Sequence, residues 1–147
     1  MRNEISFIKA SKKQNLANRQ EAIHYVLMLD ESGSMRGERW KLLMNSVLQF
    51  LGVLQEQQEN QGSISKVSVL THSIECRRIF ILEQPHTLLI RKIKPIFSGN
   101  NFIPVFAEAL EIFEETYPDF DKVVFYFMSD GVGNFPGKVI QNFNHIC

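Results

Sequence analysis

Apolar residues fall along this chain in two alternating patterns: short dense runs and longer stretches with helical spacing. "IHYVLML" (23–29) is nearly continuous and rich in branched and aromatic residues, which predicts a strand buried on both faces. After a turn through Gly33 and Gly37, the residues Trp40, Leu43, Met44, Val47, Leu48, Leu51 and Leu54 recur every three or four positions, predicting a helix with one apolar face. It decays into the polar "QEQQENQGS". "KVSVLTH" (66–72) alternates and predicts a strand with one drier face; "RRIFILE" (77–83) is the next, and the short "SIEC" between them suggests an antiparallel hairpin. "HTLLIRKI" reads as a short helix ended by Pro95. "FSGNNFIPVF" (97–106) reads as a loop entering a helix, with Asn101 able to cap and Pro104 tolerated in the first turn. Phe102, Val105, Phe106, Ala109, Leu110 and Phe113 form its apolar stripe, and "YPD" (117–119) ends it. "KVVFYFM" (122–128) is a second buried strand, closing on "SDG"; a glycine-rich loop and the start of a last helix, "KVIQNF", follow.

Strands alternating with helices indicate an α/β layered fold with a mainly parallel sheet, its parallel strands joined by right-handed crossovers. Ligands of such sheets bind beyond the carboxyl ends of the strands. Both buried strands end there in acid-bearing turns, one at Asp30 and the other at Asp130.

Composition narrows the options without adding chemistry. The 147 residues suit one domain, and 44% hydrophobic with 22% charged residues is ordinary for a globular protein. A formal net charge of zero gives no global pull towards nucleic acid or an anionic membrane, so neither is expected as a partner. Residues 1–21 are expected to form a polar tail, basic through Arg2, Lys9, Lys12, Lys13 and Arg19; a docking arm is the alternative. No secretory signal or bilayer-length apolar run is visible, and Cys76 and Cys147 make no metal spacing, so a reduced cytoplasmic protein is the expectation.

The chemistry concentrates in "DESGS". Asp30, Ser32 and Ser34 are spaced by two, and Gly33 permits the tight turn that lets their oxygens converge. Carboxylates and hydroxyls are hard ligands suited to Mg²⁺ or Mn²⁺. Asp130 would add a second negative charge, and the loop at Asn100 and Asn101 an amide oxygen. Asp, Ser and Gly are also what plain turns prefer. A phosphoryl enzyme of the haloacid dehalogenase type needs a carboxylate two residues after the first aspartate; Ser32 stands there and cannot do that proton work, while the adjacent Glu31 is expected to point away. A serine hydrolase lacks its glycine–x–serine–x–glycine elbow, and His24, His72, His86 and His145 are scattered. Trp40 reads as a helix–sheet anchor, Cys76 as a semi-buried thiol, and Arg77 and Arg78 as solvated strand-edge charges rather than guides for an acidic partner.

Together, "YVLMLDESGSM", "GERWKLLMNSVLQFL", "KVSVLTHS", "FSGNNFIPVFAEAL" and "KVVFYFMSDG" resemble, in order, the first strand and metal motif, first helix, second strand, middle loop and fourth strand of a von Willebrand factor type A (VWA) domain. The resemblance covers roughly residues 22–145 and places the domain at 22–147. It implies a three-layer, Rossmann-like α/β sandwich with a mainly parallel central sheet and an antiparallel edge hairpin. The usual last two strand–helix units are missing, so the domain reads as truncated at its carboxyl end. It further implies a metal-ion-dependent adhesion site (MIDAS), not an enzyme: Mg²⁺, with Mn²⁺ or Ca²⁺ as alternatives, held by Asp30, Ser32, Ser34 and Asp130, with a partner protein's carboxylate completing the shell. Asn100 stands where the family carries a threonine ligand. Two other functions stay open: the same fold as a scaffold with a weak or empty site, and a Mg²⁺-dependent phosphoryl enzyme. With no strand to follow it, 122–129 is expected at an exposed edge, where a second chain would pair.

Overall fold

The structure, a computed structural model, describes residues 3–9 as backbone and residues 20–130 throughout. The expected glycine-rich loop and helix after Asp130, and most of the basic tail, lie outside the described residues. The strands are β1 (Asn3–Lys9), β2 (Ala22–Asp30), β3 (Ile64–His72), β4 (Cys76–Glu83) and β5 (Lys122–Ser129), and the helices α1 (Glu38–Gln61) and α2 (Ile103–Thr116). Short 3₁₀ turns occupy Gly33–Met35, Thr87–Lys92 and Tyr117–Asp119.

One sheet runs in the order β1-β5-β2-β3-β4. β5, β2 and β3 are parallel, and β4 folds back on β3 as the expected antiparallel hairpin. α1 packs on one face through Leu43, Val47, Leu51 and Leu54 against Leu27, Leu29, Val67 and Val69. α2 packs on the other through Val105, Phe106, Ala109, Ile112 and Phe113 against Val26, Met28, Phe125 and Phe127. These are the three layers that the alternation of strands and helices predicts.

Three expectations need correcting. Leu48 is 40% exposed and lies off the buried stripe of α1. β3 has no wet face from Val67 onwards, because helices cover both sides of the sheet; its polar Ser68 and Thr71 are buried with its valines. The third concerns the sheet edge. Residues 3–9, expected within a tail, form β1 and pair antiparallel with β5 from Asn3 opposite Ser129 to Lys9 opposite Val123. The chain's own β1 therefore lies where a second chain was expected, and β5 is flanked on both sides. A dense apolar strand such as β5 stays in register more safely inside a sheet than at its edge.

Two polar devices tie the layers together. His24 on β2 is fully buried and joins Thr116 Oγ1 (3.0 Å) to Ser68 Oγ (2.6 Å). Thr116 donates to Ile112 O, so it accepts from Nδ1–H; Nε2 then accepts from Ser68, which itself accepts from Leu82 N–H. Burial pushes the His24 pKa down to about 4, in keeping with this neutral tautomer. Arg78 on β4, expected to be solvated, pairs with Glu108, Glu111 and Glu115 along α2. The Cys76 thiol is half-buried, as expected, and burial first, then Glu108, pushes its pKa up to about 12.

Candidate metal centre

At the carboxyl end of β2 the chain turns because Asp30 turns it. Its Oδ1 accepts from Ser32 N–H (2.8 Å), closing a local side-chain turn. Its Oδ2 accepts from Ser129 Oγ (2.6 Å), the last residue of β5, so this fully buried carboxylate links the two strand ends. Ser32 Oγ and Ser34 Oγ lie 3.0 Å apart. Gly33 N–H donates to Ser98 O (2.7 Å), and Ser32 bridges Ser98, which draws the loop before α2 against the turn. That loop is held in turn by Ser98 Oγ on Ser73 Oγ (2.7 Å) and by Asn101 N–H on Ser73 O (2.7 Å).

Asn101 Oδ1 accepts from Ile103 N–H (3.1 Å), so this side chain serves the first turn of α2. Its neighbour Asn100 has both amide atoms buried without a hydrogen-bond partner. Asp130 Oδ2 accepts from Arg39 Nη1 (3.2 Å), and the same nitrogen lies 3.4 Å from Ser34 O. The fold thus joins Asp30, Ser32 and Ser34 by direct bonds and brings Asp130 to the same turn through Arg39. Asn100 sits on the loop that the turn recruits.

Four neighbours escaped the sequence reading. Ser129 was visible in "SDG", but its bond to Asp30 depends on strand order. Glu31 is fully buried and takes two bonds from Arg77 and one from Ile96 N–H. Arg77 is therefore not a solvated charge. Burial raises the Glu31 pKa, but the bonds from Arg77 and Ile96 outweigh it and leave the group below its ordinary value. His72, the register partner of Asp30, is fully buried, stacked on Phe127 (5.1 Å) and edge-on to Phe102 (5.6 Å). Burial takes its pKa to about 4, against the opposing pull of Asp30 and Glu31. Arg39 carried no local signal at all.

The donor set fits a hard divalent ion. Cis ligands of an octahedral ion with bonds of 2.0–2.1 Å stand about 2.9 Å apart, close to the separation of the two serine hydroxyls. The buried, unpartnered Asn100 Oδ1 is a further oxygen of suitable kind. Among the described residues no three His, Cys, Asp or Glu side chains converge on one point, so such a site rests on hydroxyl and amide oxygens. Beside it, Ser73, Ile74, Glu75, Arg77, Ile96 and Ser98 line an open cleft of about 220 Å³. Among the described residues no helix is long and apolar enough to cross a membrane.

Neither a protein-family model nor a curated protein matches the chain. Solved structures do. The von Willebrand factor domain of the type V pilus tip protein Mfa5 from Porphyromonas gingivalis superposes with a TM-score of 0.55 at 17% identity, over 65% of this chain and 34% of that one. A three-domain structure of Mfa5 gives 0.54 at 14% identity, over 78% and 24%. Proximal thread matrix protein 1 from the mussel byssus, solved with a zinc-occupied MIDAS motif, gives 0.50 at 14% identity, over 73% and 26%. The chain thus spans about a quarter to a third of these proteins. At such identities the likeness defines a fold, and that fold is the α/β, Rossmann-like fold of VWA domains.

Proposed function

We propose that this chain is a protein-interaction module. In it Asp30, Ser32, Ser34, Asn100 and Asp130 would hold a divalent cation, Mg²⁺ first and Mn²⁺ or Ca²⁺ in its place, for a partner's carboxylate to complete. The observation that carries this reading is the pair of serine hydroxyls 3.0 Å apart, on a turn that binds Ser98 in the same loop as the orphaned Asn100 amide. An ion held mainly by neutral oxygens keeps enough charge to attract an external carboxylate. The zinc-occupied motif in the byssus protein supports the idea that this fold accepts an ion at such a place. Exposed Ile74 and Ile96, beside the open cleft, give a partner apolar contact next to the carboxylate. A phosphoryl enzyme is disfavoured because both oxygens of Glu31, the acid adjacent to Asp30, are engaged by Arg77.

A second reading, a scaffold whose site stays empty, draws on Arg39. Its guanidinium already answers the Asp130 carboxylate, whose side chain is 4% exposed. Melting the full chain against increasing Mg²⁺ separates the two. Ion binding to the native state raises the melting temperature by mass action, and Ser34→Ala, at an exposed position, should abolish the rise while keeping the fold. A melting temperature indifferent to Mg²⁺, Mn²⁺ and Ca²⁺ would leave the scaffold.

A further inference from the structure

Among the described side chains the two most exposed large apolar ones, Ile74 and Ile96 at 58% each, line the same open cleft. A single exposed apolar residue is ordinary, but two lining one opening mark a surface that something else can cover. Both are held in place. Ile74 lies so close to Gly99 that a Cβ there would come within 2.7 Å of its Cγ1, so only glycine leaves it room. Ile96 N–H is bonded to Glu31, and the next residue, Phe97, keeps a φ of 42°, a left-handed conformation that bulky residues rarely adopt. The Phe97 ring is fixed edge-on to Trp40 (5.6 Å) and under the Arg36 guanidinium (5.2 Å). Backbone strain of this kind collects at ligand clamps.

The cleft adjoins the metal-site turn through a chain of three hydrogen bonds. Gly33 N–H, between the two site serines, donates to Ser98 O (2.7 Å). Ser98 Oγ donates to Ser73 Oγ (2.7 Å), and Ser73 N–H donates to Glu75 O (3.0 Å). Ser98, Ser73 and Glu75 all line the cleft, so the site stands at one end of this chain of bonds and Glu75 at the other. Arg77 and Glu75 alone among the lining residues carry charge. Arg77 is answered by Glu31, whereas Glu75 is exposed and forms no ion pair among the described residues. The rim away from the ion is therefore negative.

We propose that the cleft sets the specificity of the interaction site. It takes one aliphatic side chain of the partner segment whose acid completes the ion, and Glu75 takes a basic residue beyond that aliphatic one. This rests on the ion-binding reading above. A cleft of about 220 Å³ has room for one such side chain, and filling it removes apolar surface of both partners from water. Opposite charges at the two ends fix which way the segment lies.

The test selects peptides from a random heptapeptide library on the immobilised full chain, with Mg²⁺ present and with it chelated. Peptides retained only with Mg²⁺ should share an acidic, an aliphatic and a basic residue. Glu75→Lys should turn the basic preference into an acidic one, an exchange that a merely structural residue would not produce. In isothermal titration at saturating Mg²⁺, a selected peptide should bind Ile96→Ser about five- to tenfold more weakly than the unaltered chain. Three results overturn this proposal alone: acidic peptides retained with no aliphatic preference, a basic preference that survives Glu75→Lys, or no retention by a chain whose melting temperature Mg²⁺ raises. If Mg²⁺ does not raise the melting temperature of the unaltered chain, the proposal falls together with the ion-binding reading.

Discussion

Arg77 grips Glu31 with two hydrogen bonds, Nε to Oε2 at 2.9 Å and Nη2 to Oε1 at 2.6 Å, across 46 positions of chain. Glu31 follows the last residue of β2, while Arg77 lies on β4 at the far edge of the sheet. Arg77 Nη2 also donates to Lys94 O, and Glu31 accepts from Ile96 N–H, so the pair anchors the segment leading to Ser98 and Asn100. Its expected role is to hold that loop against the Asp30 turn.

Removing one member should therefore disturb both stability and the loop. Arg77→Ala leaves a fully buried carboxylate with one backbone donor. The side chain of Arg77 is 34% exposed, so some solvent compensates, and a loss of about 2–4 kcal/mol in urea unfolding is expected. Adding Glu31→Gln to Arg77→Ala should restore part of it, because the stranded charge is gone. Glu31 has a folded pKa below its unfolded one, so its contribution is complete above the unfolded value near 4.5 and is lost as pH falls through the folded value.

Between neutral pH and that point, the two buried histidines set the pH dependence. Both have folded pKa values of about 4 against 6.5 when unfolded. From 6.5 down to about 4 the unfolded chain binds more protons than the folded one, so stability must fall as pH drops, and it is complete above 6.5. Each histidine contributes about 1.4 kcal/mol per pH unit within the window. Urea titrations at pH 6 and pH 5 should show a drop of about 2–3 kcal/mol. In His24→Gln the drop should shrink by about half, whatever the variant's baseline stability. An unchanged slope would mean that His24 is protonated in the fold.

In the proposed site Arg39 would compete with a cation for Asp130. Its side chain is 56% exposed, which places the ion pair among those worth at most about 1 kcal/mol. Arg39→Ala should accordingly tighten Mg²⁺ binding by a few-fold, up to about fivefold, with little change in the stability of the ion-depleted protein. Isothermal titration of the two proteins side by side checks this. Weaker binding in the variant would mean that the guanidinium helps to build the site.

What the sequence made legible was what neighbouring residues decide. The β2 turn follows from Asp30, Ser32 and Gly33 acting on one another within four residues, and the helices follow from their apolar spacing. The relationships that escaped are all remote in sequence. Arg77 carries no mark that its partner is Glu31 rather than water, and Ser129 reads as part of a tripeptide until the strand order sets it beside Asp30. His72 alternated with valines and looked like one more strand residue. The exposed edge expected at 122–129 failed for a related reason. Seven residues of mixed polarity near the start of the chain give no periodic signal strong enough to outweigh their basic surroundings, yet backbone pairing with β5 asks little of their side chains.

That pairing gives the last prediction. In the sheet order β1 is the outer strand, with β5 as its neighbour, to which it runs antiparallel over seven register pairs. Deleting residues 1–9 would expose the free side of β5, whose Val123, Val124, Phe125, Phe127 and Met128 are all buried at present. An unpaired edge of such residues is a template for other chains. The deletion variant should keep the α1 and α2 layers, since both pack on strands other than β1. It should also associate as concentration rises in light scattering, and its β5 amides should exchange with deuterium far faster in dilute solution. If the shortened protein stays monomeric with β5 amides as protected as before, the edge is covered by something other than β1.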